Sequence, residues 1–432
     1  MQQYPQTQRT SREPITIIGA GPAGLACAIV LARAGRKVLV REWKGTVGHR
    51  FHDDFQGLEN WNMAGDCLDD LAAIGIAPQF DHHAVHRATG FDAHGKAHEI
   101  HSARPLFYLL RRGPQAGSLD RGLLAQARAE GVEIHFNDRV EHTDGPSVLA
   151  TGPHRANVIA AGYLFETDHA DGAWFSLDQD LAPGGYAYLL IHRGRATLAS
   201  CMFAKFNQQA SHVLRTAEFF SQRLGFGMRN ARKFGGYGSW SLNTPVVRDG
   251  NPVIGEQAGA QDALAGFGLR YAFASGILAA RCLLAGRDCA AEWHREILPG
   301  MKTGIANRAI FETMGPSPHA WALRGLAGAP GDPITRMRRL YAPRGLTRLA
   351  YPLAIWRGRL GIRPPGCEHV NCDCVWCKAH RDRNRAKKSP QQERQQISER
   401  RNRSQSDMVP RNTASQERAG SHTIQTTRKK GT

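Results

Sequence analysis

Three glycines near the amino end are spaced so that they could hold a phosphate-bearing ligand. Gly19, Gly21 and Gly24 stand in the stretch ITIIGAGPAGLACAIVLARAGRKVLVRE. Glycines at this spacing let a strand turn sharply into a helix, whose amino end then faces a pyrophosphate. Glu42 follows 18 residues after Gly24, where a carboxylate can accept hydrogen bonds from ribose hydroxyls. The stretch predicts a dinucleotide site, although such glycines also mark plain βαβ turns.

The elements that position these residues follow from the same stretch. The β-branched run Ile15–Ile18 predicts a buried parallel strand. Ala26–Ala34 is predicted to form a helix that Gly35 ends, and Lys37–Val40 a second strand. Neither FGGYG nor GPQAG stands between a clear strand and helix, so we expect one dinucleotide to be bound in this way.

A second glycine-rich stretch lies two-thirds of the way along the chain. NPVIGEQAGAQDALAGFGLRYAFASG carries five glycines, at positions 255, 259, 266, 268 and 276. Such small residues let backbone approach a flat ring closely, and a helix beginning near Leu269 could direct its positive end at that ring. The alternative is a glycine-rich loop before a tightly packed helix.

This second stretch resembles the flavin-contacting segment of the geranylgeranyl reductase-like branch of the para-hydroxybenzoate hydroxylase superfamily. In that branch a Gly-Asp is followed by Ala-Gly, a loop with glycines and a helix that starts near an Arg-Tyr-Ala. The matching residues are Gly255, Ala258, Gly259, Asp262, Gly266, Gly268, Arg270, Tyr271, Ala272 and Gly276. Glu256 replaces the family's Asp and reaches about one methylene further towards a ribityl hydroxyl.

Two further segments resemble the same family. RRGPQAGSLDRGLLAQARAEGVEIHFNDRV is similar to an Arg-rich entry into a helix, which Ser118 is expected to cap. SVLATGPHRANVIAAG is similar to the segment where the chain leaves the FAD domain, with Thr151-Gly152 in place of Asp-Gly. The resemblance covers roughly two-thirds of the chain, from about Ile15 to Leu284.

The resemblance implies an α/β fold: an FAD-binding Rossmann-like domain of GR2 type, an antiparallel-sheet substrate domain and a helical carboxyl-terminal region. The short alternating runs between 157 and 241 independently favour antiparallel strands. The predicted boundaries are a disordered 1–13, FAD-binding segments 14–156 and 245–289, the substrate domain 157–244, a helical region 290–366, a Cys-rich motif 367–380 and a disordered basic tail 381–432. The predicted cofactor-binding residues are Gly19, Gly21, Pro22, Ala23, Gly24, Glu42, Arg50, Gly255, Glu256, Gly259, Gly266 and Gly268.

The function that the resemblance implies is an FAD-dependent oxidoreductase that reduces a carbon–carbon double bond in a hydrophobic, isoprenoid-like substrate. One alternative is an FAD- and NAD(P)H-dependent monooxygenase of an aromatic substrate, and another is a non-catalytic binder of prenylated or hydrophobic partners. The sequence identifies no catalytic acid, although His49, His52, His82 and His83 are candidates. Six aromatic residues could line a substrate pocket or form the core of the sheet: Trp174, Tyr186, Tyr188, Phe203, Tyr237 and Trp240.

Four cysteines stand close together in the stretch CEHVNCDCVWCKAH. Cys367, Cys372, Cys374 and Cys377 could hold one tetrahedral zinc ion or an iron–sulfur cluster. Their spacing is not that of a common zinc finger, and reduced thiols or reversible disulfides are the alternatives. An iron–sulfur centre would suit an enzyme with no second nucleotide fold, because electrons could arrive through the cluster or through a ferredoxin; the external donor is expected to be NAD(P)H or ferredoxin.

Charge and hydropathy bound the location and partners. The net charge is +18, and the segment from Arg381 onward carries 14 Lys or Arg against 5 Asp or Glu, with no aromatic residue. We therefore expect a solvated, disordered tail rather than a specific nucleic-acid site. The polar start MQQYPQTQRTSREP lacks the apolar core of a signal peptide, so a cytoplasmic protein is expected. An Arg-rich segment around Trp356 could make peripheral membrane contact or pack on the FAD domain.

Overall fold

The fold is described from a computed structural model. The centre of its amino-terminal part is a four-stranded parallel sheet. Its strands lie in the order β8-β2-β1-β9 and span β1 (Ile15–Ile18), β2 (Val38–Glu42), β8 (Glu133–Phe136) and β9 (Ser147–Leu149). The predicted first strand is confirmed, and the second begins one residue later than predicted and runs on to Glu42. Described residues are 13–62, 65–140, 145–313, 316–328, 331–343, 351–352, 372 and 374–379.

Three helices pack around this sheet: α1 (Pro22–Arg33), α3 (Leu119–Ala129) and α5 (Leu269–Ala285). The first begins four residues earlier than the sequence predicts, because Pro22 is well suited to the first turn of a helix. The helix predicted to start near Leu269 does start there. Between helices and sheet lies an apolar core that includes Leu25, Ile29 and Leu123. A shorter helix, α2 (Cys67–Ala73), also packs its apolar side on this core.

A seven-stranded sheet forms the second layer, in the order β14-β10-β13-β12-β11-β5-β6. Neighbouring strands are antiparallel except for β11 and β5. The strands are β5 (Arg87–Phe91), β6 (Ala97–His101), β10 (Val158–Glu166), β11 (Gly172–Ser176), β12 (Tyr186–His192), β13 (Arg195–Met202) and β14 (Arg229–Gly238). The predicted antiparallel sheet is thus confirmed. The amphipathic helix α4 (Gln209–Leu224) packs its apolar face against this sheet through Val213 and Phe220.

A small antiparallel sheet links the two layers. It consists of β3 (Asp54–Glu59), β7 (Phe107–Arg112) and β4 (His82–Val85), in the order β3-β7-β4. A two-stranded ribbon, β15 (Val247–Arg248) and β16 (Asn251–Pro252), then returns the chain to the parallel sheet. There Val253 pairs with Leu149 and the Ile254 N–H donates to the Leu149 carbonyl at 2.9 Å. The second glycine-rich segment therefore starts beside the first.

Helices follow, as predicted for the carboxyl-terminal region. They are α6 (Cys289–Glu296), α7 (Leu298–Thr313), α8 (Pro316–Gly328) and α9 (Pro333–Tyr341). All of these elements belong to one compact unit, Met1–Lys378. The predicted disordered tail, the predicted disordered start and Trp356 lie outside the described residues. In the part that is described, no helix is both long enough and apolar enough to cross a bilayer.

Candidate functional site

The turn between β1 and α1 is built by close packing around an open helix end. A Cβ added to Gly24 would lie 2.1 Å from the Gly19 carbonyl oxygen, so the turn requires glycine at 24. By contrast, a Cβ on Gly21 would have no atom within 4 Å. Gly21 is the residue before α1, and no side chain caps the helix there. Pro22 has no N–H, so the helix presents the N–H groups of Ala23 and Gly24 next to this open position, an arrangement that suits an anionic ligand.

Glu42 lies at the end of β2, beside this turn. One carboxylate oxygen accepts a hydrogen bond from the Ala20 N–H and the other from the Lys44 N–H, both at 2.8 Å. The predicted ribose acceptor thus also fixes the turn itself, a role that the sequence did not indicate. Each oxygen keeps a second lone pair, so Glu42 can still accept a bond from a hydroxyl group.

The second glycine-rich segment packs α5 directly on α1. A Cβ on Gly276 would lie 2.2 Å from the Ala23 carbonyl oxygen, which explains the small residue at that position. Gly255 and Gly259 bound a single 3₁₀ turn, and the Gly255 N–H donates to the Ser275 Oγ at 2.9 Å. The tight-packing alternative considered from the sequence therefore holds for Gly276.

The loop between that turn and α5 leaves more room. The nearest atoms to an added Cβ are 3.6 Å away at Gly266 and 3.7 Å away at Gly268. Asp262 fixes the loop by accepting hydrogen bonds from the N–H groups of Leu264 and Ala265. The predicted binding glycines 266 and 268 thus lie where a ligand could approach the backbone.

An ion pair connects the loop that follows β2 with the second glycine-rich segment. The Arg50 Nη2 donates to the Glu256 Oε2 at 2.6 Å, and the two side chains are 36% and 13% exposed. The Arg50 Nη1 is buried and has no hydrogen-bond partner among the described residues. A buried guanidinium N–H aimed at no protein acceptor suits a phosphate or carbonyl oxygen of a ligand.

A second ion pair, between Glu59 and Arg270, was missed by the sequence reasoning. The Arg270 Nε donates to the Glu59 Oε1 at 3.2 Å, and the Glu59 side chain is 1% exposed. The other oxygen, Oε2, is buried without a hydrogen-bond partner in the described chain. Burial raises the pKa of Glu59 to about 6, although Arg270 opposes the shift. Nothing in the pattern GLENWN marks Glu59, because its partner lies 211 residues away.

Aromatic side chains surround this buried acid. Trp61 contacts Phe267 with ring centroids 5.5 Å apart and Tyr341 with centroids 6.1 Å apart. The Tyr341 hydroxyl donates to the Asp262 Oδ2 at 3.3 Å, so α9 also reaches the site. Burial raises the pKa of Asp262. The cluster combines an apolar surface with two carboxyl groups, Glu59 and Asp262, whose pKa values are raised by burial.

The six aromatic residues proposed from the sequence fall into separate places. Tyr186 and Tyr188 lie near each other on β12, and the Tyr186 hydroxyl donates to the Ala265 carbonyl at 3.0 Å. Phe203 and Trp240 pack together with centroids 5.7 Å apart. Trp174 contacts His169, and the Tyr237 ring lies 5.6 Å from the Arg50 guanidinium carbon.

The four candidate histidines lie on β4 and in the loop between β2 and β3. The ring of His83 stacks on His192 with centroids 4.3 Å apart, and burial lowers its pKa. The ring of His82 contacts Tyr108 and its Nδ1 is 3.0 Å from the Phe80 carbonyl. His49 and His52 belong to the loop, where the His52 carbonyl accepts from Arg232. All four histidines are exposed, whereas Glu59 is buried.

The cysteine cluster is described for three of its four predicted members. The Sγ atoms of Cys372, Cys374 and Cys377 lie within 4.8 Å of one another, whereas Cys367 lies outside the described residues.

Comparisons with known proteins agree with this geometry. A family model described as an NAD(P)-binding Rossmann-like domain matches residues 17–59. A geranylgeranyl bacteriochlorophyll reductase-like protein from Thermoplasma acidophilum superposes with a TM-score of 0.54 at 16% identity, over 79% of this chain and 95% of that one. The flavin-dependent brominase Bmp2 gives 0.56 at 17% identity, over 80% and 98%. A probable FAD-dependent monooxygenase from Pseudomonas aeruginosa, pqsL, gives 0.52 at 17% identity, over 69% and 96%.

The chain therefore shares its fold with these flavin-dependent and reductase-like proteins. No curated protein sequence matches it. The expected fold class is therefore confirmed. The predicted cap of α3 is also confirmed, because the Ser118 Oγ accepts a hydrogen bond from the Arg121 N–H at 3.2 Å.

The residues present also fit the dinucleotide that this fold implies. The open end of α1 at Gly21 suits its pyrophosphate. Arg50, which pairs with Glu256, supplies a charged donor through its unpaired Nη1. The uncrowded Gly266 and Gly268 suit the close approach of a flat ring.

Proposed function

We propose that the protein is an FAD-dependent oxidoreductase that reduces a carbon–carbon double bond in a hydrophobic, isoprenoid-like substrate. FAD would be held by the first turn of α1, Glu42, Arg50, Glu256 and the loop at Gly266 to Gly268. The cofactor, once reduced, supplies a hydride to one alkene carbon. A metal ion at the carboxyl-terminal cysteines is the second cofactor that we propose.

Glu59 is the observation that favours a reductase over the alternatives. Reduction of an alkene needs a proton at the second carbon, and a general acid must be protonated near working pH. Glu59 meets this requirement because it is buried, keeps one oxygen without a protein partner and has its pKa raised to about 6. Arg270 holds the Glu59 Oε1 and so leaves Oε2 to carry the proton.

The surroundings of Glu59 support an apolar substrate. Trp61, Phe267 and Tyr341 form a partly buried aromatic cluster beside it, together with Tyr188 of β12. Such a surface favours a hydrocarbon chain and excludes water from the acid.

The electron donor, location and membrane contact are further proposals. NAD(P)H or ferredoxin would reduce the cofactor from outside, since the chain carries one dinucleotide fingerprint. The Trp321 side chain on α8 is 73% exposed, and Arg338 and Arg339 are in the last turn of α9. An exposed aromatic residue near basic residues suits contact with an anionic membrane surface from the cytoplasmic side.

The test begins with the visible spectrum of the purified protein and identification of what is released on denaturation. We expect flavin absorbance and released FAD, followed by anaerobic reoxidation of the photoreduced protein by geranylgeranyl-bearing alkenes with loss of the double bond. Oxygen uptake stimulated by an aromatic compound would instead support the monooxygenase. A colourless protein that does not take up added FAD would contradict the proposal and favour a non-catalytic binder.

A further inference from the structure

Three cysteines near the end of the described chain meet in a buried cluster. The Sγ atoms of Cys372, Cys374 and Cys377 lie within 4.8 Å of one another. Cys374 is 1% exposed and Cys372 is 8% exposed. Among the described residues, this is the group of His, Cys, Asp or Glu that could hold a metal ion.

The backbone around the cysteines is arranged to support thiolates. The Cys374 N–H points at the Cys372 Sγ and the Cys377 N–H points at the Cys374 Sγ, each at 3.5 Å. A helical turn over 375–379 fixes this geometry, since the Lys378 N–H donates to the Cys374 carbonyl at 3.0 Å. Hydrogen bonds from N–H groups stabilise the negative charge of metal-bound sulfur.

The close spacing of the three sulfur atoms favours a single metal ion over an iron–sulfur cluster. Tetrahedral zinc with Zn–S bonds of about 2.3 Å places neighbouring sulfurs roughly 3.8 Å apart, which is compatible with three sulfurs that all lie within 4.8 Å of one another. In an iron–sulfur cluster no iron atom carries more than two protein thiolates, so among three cysteine ligands at least one binds a different iron and is held further away by the inorganic core. Three mutually close thiolates thus favour one mononuclear ion with its remaining position open to a fourth ligand.

The cysteine segment is also fastened to the seven-stranded sheet. The Val375 N–H donates to the Gln209 Oε1 on α4 at 3.0 Å, and the Val375 side chain covers Gly235, where an added Cβ would lie 2.4 Å from Val375 Cγ2. Trp376 is 3% exposed and contacts Tyr237 with ring centroids 5.3 Å apart. Gly235 and Tyr237 belong to β14, the edge strand of the sheet.

We propose that Cys372, Cys374 and Cys377 bind one zinc ion, and that the zinc-bound segment is a clasp that holds Trp376 on the edge strand β14. The clasp covers Tyr237, whose ring lies 5.6 Å from the Arg50 guanidinium carbon. It therefore supports the side of the candidate flavin site on which Arg50 pairs with Glu256. The zinc site stands whether or not flavin is bound, and only its effect on Arg50 rests on the proposed function.

Metal content tests the site directly. The full-length protein, purified under reducing conditions without added metal, is expected to carry about one zinc per chain by plasma mass spectrometry. Cys374→Ser and Cys377→Ser should lose the zinc, while Cys289→Ser, at a half-buried thiol outside the cluster, should keep it. Cobalt(II) exchanged into the wild-type protein should show thiolate charge-transfer bands. Absence of zinc, the presence of iron in its place, or zinc retained by both cysteine variants would overturn the site.

Hydrogen exchange tests the clasp on the wild-type chain. Because no residue is substituted, misfolding of a variant cannot account for the result. Removing zinc with a chelator should speed amide exchange over 229–238 and over 372–379. Exchange in α3, which is remote from the cysteines in the chain and belongs to another layer, should stay unchanged. A zinc-free protein with unchanged exchange over β14 would contradict the clasp while leaving the metal site intact. Neither result depends on flavin binding.

Discussion

The two glycine-rich segments look alike in sequence but use glycine in two different ways. Gly24 of the first and Gly276 of the second stand where a Cβ would meet a backbone oxygen at 2.1 and 2.2 Å. Gly21 and Gly268 stand where an added Cβ has no neighbour closer than 3.7 Å. The first pair is required by packing between strand, turn and helices, and the second pair leaves room for a ligand. Composition cannot separate these roles, because the difference lies in the neighbouring backbone.

Replacement of a packing glycine should have the largest effect. We expect Gly24→Ala to lower the free energy of unfolding by about 3 kcal/mol, because its Cβ would overlap the Gly19 carbonyl. The measurement is a denaturant titration of the apoproteins followed by circular dichroism, so that a difference in bound FAD does not contribute to the result. Gly21→Ala, three residues away at an open position, is the matched control and should unfold like wild type. Equal stability of the two variants would break the distinction between the two kinds of glycine.

Replacement of the open glycine should separate binding from folding. Gly21→Val places a branched side chain in the space before α1 without contacting the protein, so the stability of the apoprotein should hold while FAD affinity falls about a hundredfold. Flavin retained per chain after gel filtration and titration of the apoprotein measure this. Gly227→Val, at an exposed glycine with no neighbour within 4 Å, is the control. Full retention of FAD by Gly21→Val would place the cofactor elsewhere.

Two ion pairs, Arg50 with Glu256 and Glu59 with Arg270, show which parts of the site the sequence predicts and which it does not. The strand, turn, helix and second strand of the parallel sheet follow from local patterns, and so does the cap at Ser118. Arg50 with Glu256 joins residues that a family resemblance already suggests. Glu59 with Arg270 does not, because burial at the end of a strand and a partner 211 residues away are products of tertiary packing.

The buried pair can be tested through pH. Because burial raises the pKa of Glu59 to about 6, its acid form and any rate that depends on it should be lost as pH rises through 6. The stability contributed by the extra proton follows the same sign: present below the unfolded value near 4.5 and lost above 6. Glu59→Gln should cut substrate reduction about a hundredfold and flatten the pH profile, with FAD still bound.

A matched control for Glu59 lies on the same strand. Asp54 is also buried and its pKa is also raised by burial, but its oxygens accept from the His52 N–H and the Gln56 amide. Asp54→Asn should therefore leave the pH profile in place. The groups that face Glu59 are Arg270, Asp262, Tyr271, Tyr341 and Cys67. A profile that persists in Glu59→Gln would assign the titration to one of these and remove Glu59 as the proton donor.

The more exposed pair should give the smallest effect. Arg50→Lys keeps a positive charge but cannot donate to Glu256 and to a ligand from two separate guanidinium nitrogens, so we expect FAD affinity to fall about tenfold. Fluorescence titration of the apoprotein measures the change. Arg281→Lys is the control, since Arg281 also pairs with a glutamate and is similarly exposed, at 38%. An equal loss in both variants would mean that general charge, rather than the unpaired Nη1, contributes to cofactor binding.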